Sequence, residues 1–427
     1  MGVLTQEYSR IRTSRLGKNA SWMMLGQGVS VIMQAAYFGI LARLLGAADY
    51  GVFVGAFAFT SIAAQYSTLG SGIVMLRYVS GNKQALPVYW GNIVAITTVL
   101  GGGIVFALTL LGHSILNPMS ASLVVFAAVA NCICYQLSTE MGRVFQTFER
   151  MRVTAIVNML TNSVRALTAW AMLAVLHRAT AREWAIASTA VSILAAGVSI
   201  GCVTVSIGRP KIFPLMFPKH GLEGFGYAFA TSTSSVYNDL DKTMLSHYNL
   251  NQANGIYTVA YRVIDIASMP IYSIRDAAMP RLFECGRTSC RAVADLSHRL
   301  MFRAVPIGAA LSLGTFLVAP ILPSIVGPSF AESANALRWL AWIPLFRSVH
   351  QMAGSALLGA GLQRYRTAAQ LFAAGLNFLL NLYLIPASGW TGAAKASLVT
   401  DATLGALNLL LFHVCIRRGT AEVSGVA

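Results

Sequence analysis

Residues Trp22–Leu41 read WMMLGQGVSVIMQAAYFGIL, a run without a single charge. As a helix it covers the ~30 Å hydrocarbon core of a bilayer, which needs roughly 20 residues. The pattern recurs along the 427-residue chain, at about 51–75, 88–112, 120–142, 153–176, 184–207, 224–248, 255–280, 303–326, 335–360, 366–387 and 391–416. No segment between these spans is long enough for a soluble domain. The expected fold class is an all-α integral membrane protein of about twelve transmembrane helices. Its function then resides in the helices and their short connections.

Composition agrees: 56% of residues are hydrophobic and 11% charged, unlike a soluble globular chain. The net charge of +16 does not signal nucleic acid, because the basic residues are spread over loops instead of forming one face. The six cysteines do not converge into a ligand set: Cys132 and Cys134 diverge on one helix, and Cys285 and Cys290 sit in a basic loop. No metal is expected. The first apolar run is too long for a signal-peptide core and follows about twenty polar residues, so it is expected to stay as an anchor.

Lys and Arg set the orientation. Arg10, Arg12, Arg15 and Lys18 fall on one side, as do Arg77, Lys83, Arg143, Arg150, Arg152, Arg209, Lys211, Lys219, Arg281, Arg287, Arg291, Arg299, Arg303, Arg364, Arg366, Arg417 and Arg418. The opposite loops hold only Arg43, Arg178, Arg182 and Arg338. This bias places both termini in the cytoplasm. It also decides a weak span. Residues 224–248 (GFGYAFATSTSSVYNDLDKTMLSHY) are poor in Leu and carry charges, so hydropathy alone reads them as a loop. Were they not to cross, the basic segment 281–303 would face outward. They are therefore kept as the seventh helix, with a polar face that needs water or another helix.

The two halves of the chain echo each other. Gly51-Val52-Phe53 with Ala56-Phe57 parallels Gly255-Ile256-Tyr257 with Ala260-Tyr261, and Arg150-Met151-Arg152 parallels Arg364-Tyr365-Arg366. Residues 208–221 form a basic linker broken by Pro210, Pro214 and Pro218. The expected organisation is an amino-terminal lobe (1–207), this cytoplasmic linker, and a carboxy-terminal lobe (222–427). Each lobe has six spans, an even number, so the repeat is parallel about an axis along the membrane normal.

Charges inside the spans are the candidate site. Arg165 lies roughly 18 Å into the fifth span and Arg347 equally deep in the tenth, with His350 one turn on. Asp401 lies about 15 Å into the twelfth span; Lys242 and Arg262 are about 10 Å from the outer ends of the seventh and eighth. Arg43 is near the outer end of the first. An ionised group at mid-helix in lipid costs at least ~2.5–3.5 kcal/mol, so several together face a polar cavity or each other. Asp239 with Lys242, and Arg262 with Asp265, are spaced to pair along their own helices. Arg165 and Arg347 have no carboxylate at such spacing. Cations on both lobes suit an anionic passenger, and Arg grips phosphate bidentately. On the seventh helix Ser232, Ser235, Asp239, Lys242 and Ser246 share one face, while Ser234, Asn238 and Asp241 share another. Asp239-Leu240-Asp241 is formally a D-x-D, but on a helix the two carboxylates diverge. With no phosphate loop, zinc motif or triad visible, an enzyme is not expected.

Four motifs carry a family resemblance. Leu41-Ala42-Arg43-Leu44-Leu45-Gly46 with Tyr50-Gly51-Val52-Phe53 resembles the signature after the first helix of Wzx-type oligosaccharide flippases. Leu240-Asp241-Lys242 with Leu245-Ser246 resembles their seventh helix, and Gly255 to Arg262 the start of their eighth. Asn377, Asn381-Leu382, Leu384-Ile385-Pro386, Gly389-Trp390 and Gly392-Ala393-Ala394 resemble the hairpin from the eleventh to the twelfth. The resemblance implies the multidrug/oligosaccharidyl-lipid/polysaccharide exporter fold, two six-helix lobes in a V around a central cavity. It implies translocation of a polyprenyl-diphosphate-linked oligosaccharide across the bacterial inner membrane, supplying O-antigen, capsule or exopolysaccharide. Partners of such a protein would be a polysaccharide polymerase and a chain-length regulator. Arg43, Asp241, Tyr257 and Arg262 fall on matched motif positions. Arg165, Arg347, Asp239 and His350 rest on the physical argument alone.

The expected mechanism is alternating access, with Arg43, Arg165, Lys242, Arg262, Arg347, His350 and Ser235 receiving the diphosphate and sugar. No cofactor is expected. Coupling to a proton or sodium gradient would run through Asp239, Asp241, Asp265 or Asp401, since a buried carboxyl group can exchange a proton near neutral pH. Two rivals are a drug–cation antiporter of the same fold, which needs an anionic cavity, and a membrane glycosyltransferase or polymerase, which needs a large extramembrane loop.

Overall fold

The structure, a computed structural model, describes residues 15–79, 85–148, 150–212 and 216–424. Arg10, Arg12, Lys83 and Pro214, used above for orientation and for the linker, lie outside the described residues. Among the described residues there is no strand, and each of the twelve expected spans falls largely on helix. The chain is a multi-pass membrane protein.

Several of the spans are irregular. The first two are one helical run, Arg15–Ala64, bent at Gly46, whose φ of 71° only a residue without Cβ adopts readily. A loop was expected there. The fourth is assembled from Val124–Ala128, a π-helical turn at Val129–Tyr135 and Gln136–Thr147. The eighth is broken: Asn251–Ala267 ends at Ser268, and Met269–Thr288 restarts with Pro270 in its first turn. Pro has no N–H to continue the ladder.

Among the described residues, eight helical segments are long and apolar enough to cross a membrane, the first of them, Val31–Val79, containing the end of the first expected span and all of the second. The seventh, eighth and tenth expected spans, on helices Met216–His247, Asn251–Ala267 and Ile343–Gly359, are not among the eight. Asn251–Ala267 and Ile343–Gly359 are 17 residues each, short for a span, and Met216–His247 is rich in Ser, Thr and Asp.

The chain divides into two compact units. The first comprises the described part of Met1–Leu45 with Val52–Ser235, and the second Gly46–Gly51 with Val236–Ala427. In the first unit an apolar cluster of Met75, Trp90, Ile93, Met141 and Phe145 is closed to solvent. Above it Asn131 donates to Thr60 Oγ1 (2.8 Å) and to the Phe57 carbonyl (3.1 Å), satisfying a polar group among apolar neighbours. In the second unit Ile271, Ala304 and Met352 pack together, as do Leu282, Val293, Leu357 and Phe412.

The second unit also contains a close helix crossing built from the repeated motif. A Cβ at Gly51 would overlap the Asn251 carbonyl, and one at Gly255 would overlap the Ala47 carbonyl. The contact is reciprocal: a single sequence offset relates Ala47 to Asn251 and Gly51 to Gly255. Only glycine lets two helix backbones approach this closely. Buried Asn254 spans the crossing, donating to the carbonyls of Gly51 (3.1 Å) and Lys242 (3.0 Å). The crossing thus holds the seventh helix at Lys242, where the candidate site begins.

Candidate functional site

The seventh helix is closed to solvent over Asp241–Ser246. Its charges are therefore met by protein. Asp241, 2% exposed, accepts a hydrogen bond from the Tyr257 hydroxyl, and Ser397 lies 2.9 Å from the same hydroxyl. A phenol has one proton to give, so Ser397 donates to Tyr257. Lys242 Nζ bonds Asp239 Oδ1 (2.9 Å) and the Asn238 carbonyl, and lies 4.9 Å from the centre of the Tyr261 ring.

Arg347 also packs on Tyr261. Its guanidinium is 5.3 Å from the same ring, so one aromatic face system attracts two cations. Arg347 Nη1 donates to Asp265 (3.0 Å) and Ser268 (3.3 Å), and Nη2 to the Tyr261 hydroxyl (2.9 Å). Asp265 also lies 3.8 Å from Arg262. One turn along, His350 Nε2 is 3.3 Å from Asp401, which accepts the Tyr237 hydroxyl at 2.7 Å. Asp401 is fully buried, and its second carboxylate oxygen has no hydrogen-bond partner among the described residues. Beside it, Asn381 donates to Asn377 (2.8 Å) and Asn377 to Thr400 (3.3 Å).

The second unit therefore gathers eight of the sequence-selected residues: Asp239, Asp241, Lys242, Arg262, Asp265, Arg347, His350 and Asp401. The two pairs read from helical spacing, Asp239–Lys242 and Arg262–Asp265, both form. One expectation is corrected. Arg347 is not without a carboxylate: Asp265 reaches it from the eighth helix, a contact that spacing along its own helix does not show.

Three selected residues are elsewhere, in the first unit. Arg43 is exposed, and Ser235 is half-buried. Arg165 is half-buried and donates to Ser192 Oγ (2.9 Å), while its buried Nε has no hydrogen-bond partner among the described residues. The structure adds groups that were not selected. Tyr237, Tyr261, Ser268 and Ser397 complete the network, and Glu140, fully buried, pairs with Arg143 in the first unit. Tyr257 and Tyr261 sit one turn apart on the eighth helix, a pairing the sequence displays without revealing its use.

Such a network sets Asp239, Asp241 and Asp265 beside the cations Lys242, Arg262 and Arg347. Chemically it can exchange a counter-ion, pass a proton, or trade an internal partner for a charged ligand. Among the described residues no three His, Cys, Asp or Glu side chains come together to hold a metal ion.

Comparison with known proteins bears on fold and family. A family model described as polysaccharide biosynthesis protein matches residues 16–285. An inward-facing multidrug resistance MATE transporter of the MOP superfamily is similar at 14% identity, over 92% of this chain and 96% of that one, with a TM-score of 0.70. Lipid II flippase MurJ, in an inward closed conformation, is similar at 12% identity over 91% of this chain and 86% of its own, with a TM-score of 0.71. A MOP superfamily transporter from Pyrococcus furiosus gives 12% identity, 95% and 97% coverage, and a TM-score of 0.63. At these identities the likeness establishes the fold, that of membrane transporters. A search of curated protein sequences finds no match.

Proposed function

Because the chain belongs to the polysaccharide biosynthesis protein family, we propose that it flips a polyprenyl-diphosphate-linked oligosaccharide across a bacterial inner membrane. One observation carries the reading: the seventh, eighth and tenth helices bring ionisable side chains together, Lys242 with Asp239 and Arg347 with Asp265. Charges buried in membrane helices mark a cargo or ion pathway. The cargo's diphosphate is anionic, and Arg262, Lys242 and Arg347 of the second unit supply cations. Both termini lie in the cytoplasm, following the Lys and Arg bias of the loops. Transport proceeds by alternating access, driven by a proton or sodium gradient acting on Asp239, Asp241 and Asp401. A polysaccharide polymerase and a chain-length regulator take up the flipped units. The protein is a transporter, not an enzyme.

Arg165 is the receiving cation of the first unit. Its buried Nε has no hydrogen-bond partner among the described residues, an arrangement that favours arrival of an anion. Deleting the gene is expected to leave lipid-linked sugar on the inner face of the membrane. Re-introducing the Arg165→Ala gene should restore protein level but not export. Arg165→Lys should restore part, keeping the charge and losing the planar fork. Full export by the Ala variant would remove Arg165 from the site. Normal outer-face sugar in the deletion strain would remove the function.

A second reading, drug–cation antiport, draws on the four carboxylates Asp239, Asp241, Asp265 and Asp401 in the same unit. Each of the first three is already paired with a cation, which disfavours capture of another.

A further inference from the structure

The ion pair between Arg347 and Asp265 is built unequally. The Arg347 side chain is 3% exposed and that of Asp265 37%. Among the described residues Asp265 is the one carboxylate within ion-pair distance of Arg347. Its other partners, Ser268 and Tyr261, are neutral. A guanidinium so enclosed needs an anion at all times, since an unpaired buried charge is strongly unfavourable. Asp265 has no such need. It lies at the exposed side, between Arg347 and the 33% exposed side chain of Arg262. It also sits three residues before the break at Ser268, where Pro270 leaves the helical ladder short of a donor.

The geometry points to Asp265 as a displaceable counter-ion, a selectivity gate that yields to the diphosphate of the cargo and not to singly charged anions. The inference rests on the flippase reading. An incoming anion must replace Asp265 on two guanidiniums at once. A diphosphate has the charge and the acceptor oxygens to bridge both, and charge-assisted bonds to phosphate are among the strongest available. A phosphodiester carries one negative charge, no more than the carboxylate it would evict, and gains nothing from the exchange. Once displaced, Asp265 turns to water on its open side, so no buried charge is stranded. The gate has a physical purpose. Bilayer lipids offer phosphodiesters in great excess over any diphosphate-linked carrier, and attraction alone would fill the site with them. Selectivity then needs a repulsive element, which Asp265 supplies.

The test measures binding to the purified full-length protein, using farnesyl diphosphate and dihexanoylphosphatidylglycerol as probes. Wild type is expected to prefer the diphosphate by about tenfold or more, and Asp265→Asn to bring the two within about twofold by tightening the phosphodiester. A ratio unchanged in the Asn variant, with diphosphate still bound, overturns the gate and leaves the flippase reading standing. Failure of both proteins to bind the diphosphate overturns both. If Asp265→Asn does not fold, wild type decides alone: equal affinity for the two probes overturns the gate. Asp265→Glu, which keeps the charge, should keep the wild-type preference, and its loss there would also count against the gate.

Discussion

Arg347→Ala is expected to lower stability by about 1.5–3 kcal/mol, the net worth of hydrogen bonds to a charged group, since the Asp265 it leaves behind is open to solvent. The substitution deletes the bonds to Asp265, Ser268 and the Tyr261 hydroxyl together, along with the contact to the Tyr261 ring. It also leaves Asp265 with only the more distant Arg262. Thermal unfolding of the detergent-solubilised protein should show a drop of several degrees. The double variant Arg347→Ala/Asp265→Ala should recover little of that loss, because Asp265, 37% exposed, is not stranded by the single substitution. Transport should fail in both, since neither holds a cation at this depth. A melting temperature equal to wild type in the single variant would mean that Arg347 is not held as described.

Gly255→Ala is expected to be the other large effect. Its Cβ would overlap the Ala47 carbonyl oxygen and come within 2.9 Å of the carbonyl carbon. Both obstacles are backbone, so no rotamer change relieves them and the helices must separate. Overpacking of this kind costs about 1–3 kcal/mol and sometimes more. Separation would also lengthen the bonds from Asn254 to Gly51 and Lys242, loosening the seventh helix beside its buried charges. Gly314→Ala is the control, because nothing lies within 4 Å of its Cβ position. It should be neutral or stabilising, by up to about 1 kcal/mol, as Ala is the better helix former. Equal melting temperatures for the two variants would contradict the crossing.

Much of the fold was legible because a bilayer imposes one rule on every span. The seventh helix shows the strength of charge bias over hydropathy. Its composition reads as a loop, yet Met216–His247 is a continuous helix. What misled was the stretch around Gly46, where a positive-φ glycine bends one helical run instead of a loop separating two. The site was legible residue by residue and not in its pairing. Spacing along one helix shows Asp239 with Lys242 and Arg262 with Asp265. It is blind to Arg347 with Asp265, or His350 with Asp401, because those partners are brought together by packing between helices. Tyr237 and Tyr261 escaped notice for a different reason. Tyrosine is ordinary in membrane helices, and only its hydroxyl contacts with Asp401 and Arg347 give it significance.

Reconstitution tests the central claim most directly. The purified protein would be placed in liposomes carrying a fluorescent short-chain prenyl-diphosphate sugar, with an inward or outward ion gradient imposed. Transbilayer movement should be faster than in protein-free liposomes, should respond to the gradient, and should be lost with Arg165→Ala. Movement no faster than in protein-free liposomes, together with gradient-driven uptake of a lipophilic drug cation, would contradict the account and favour the antiporter.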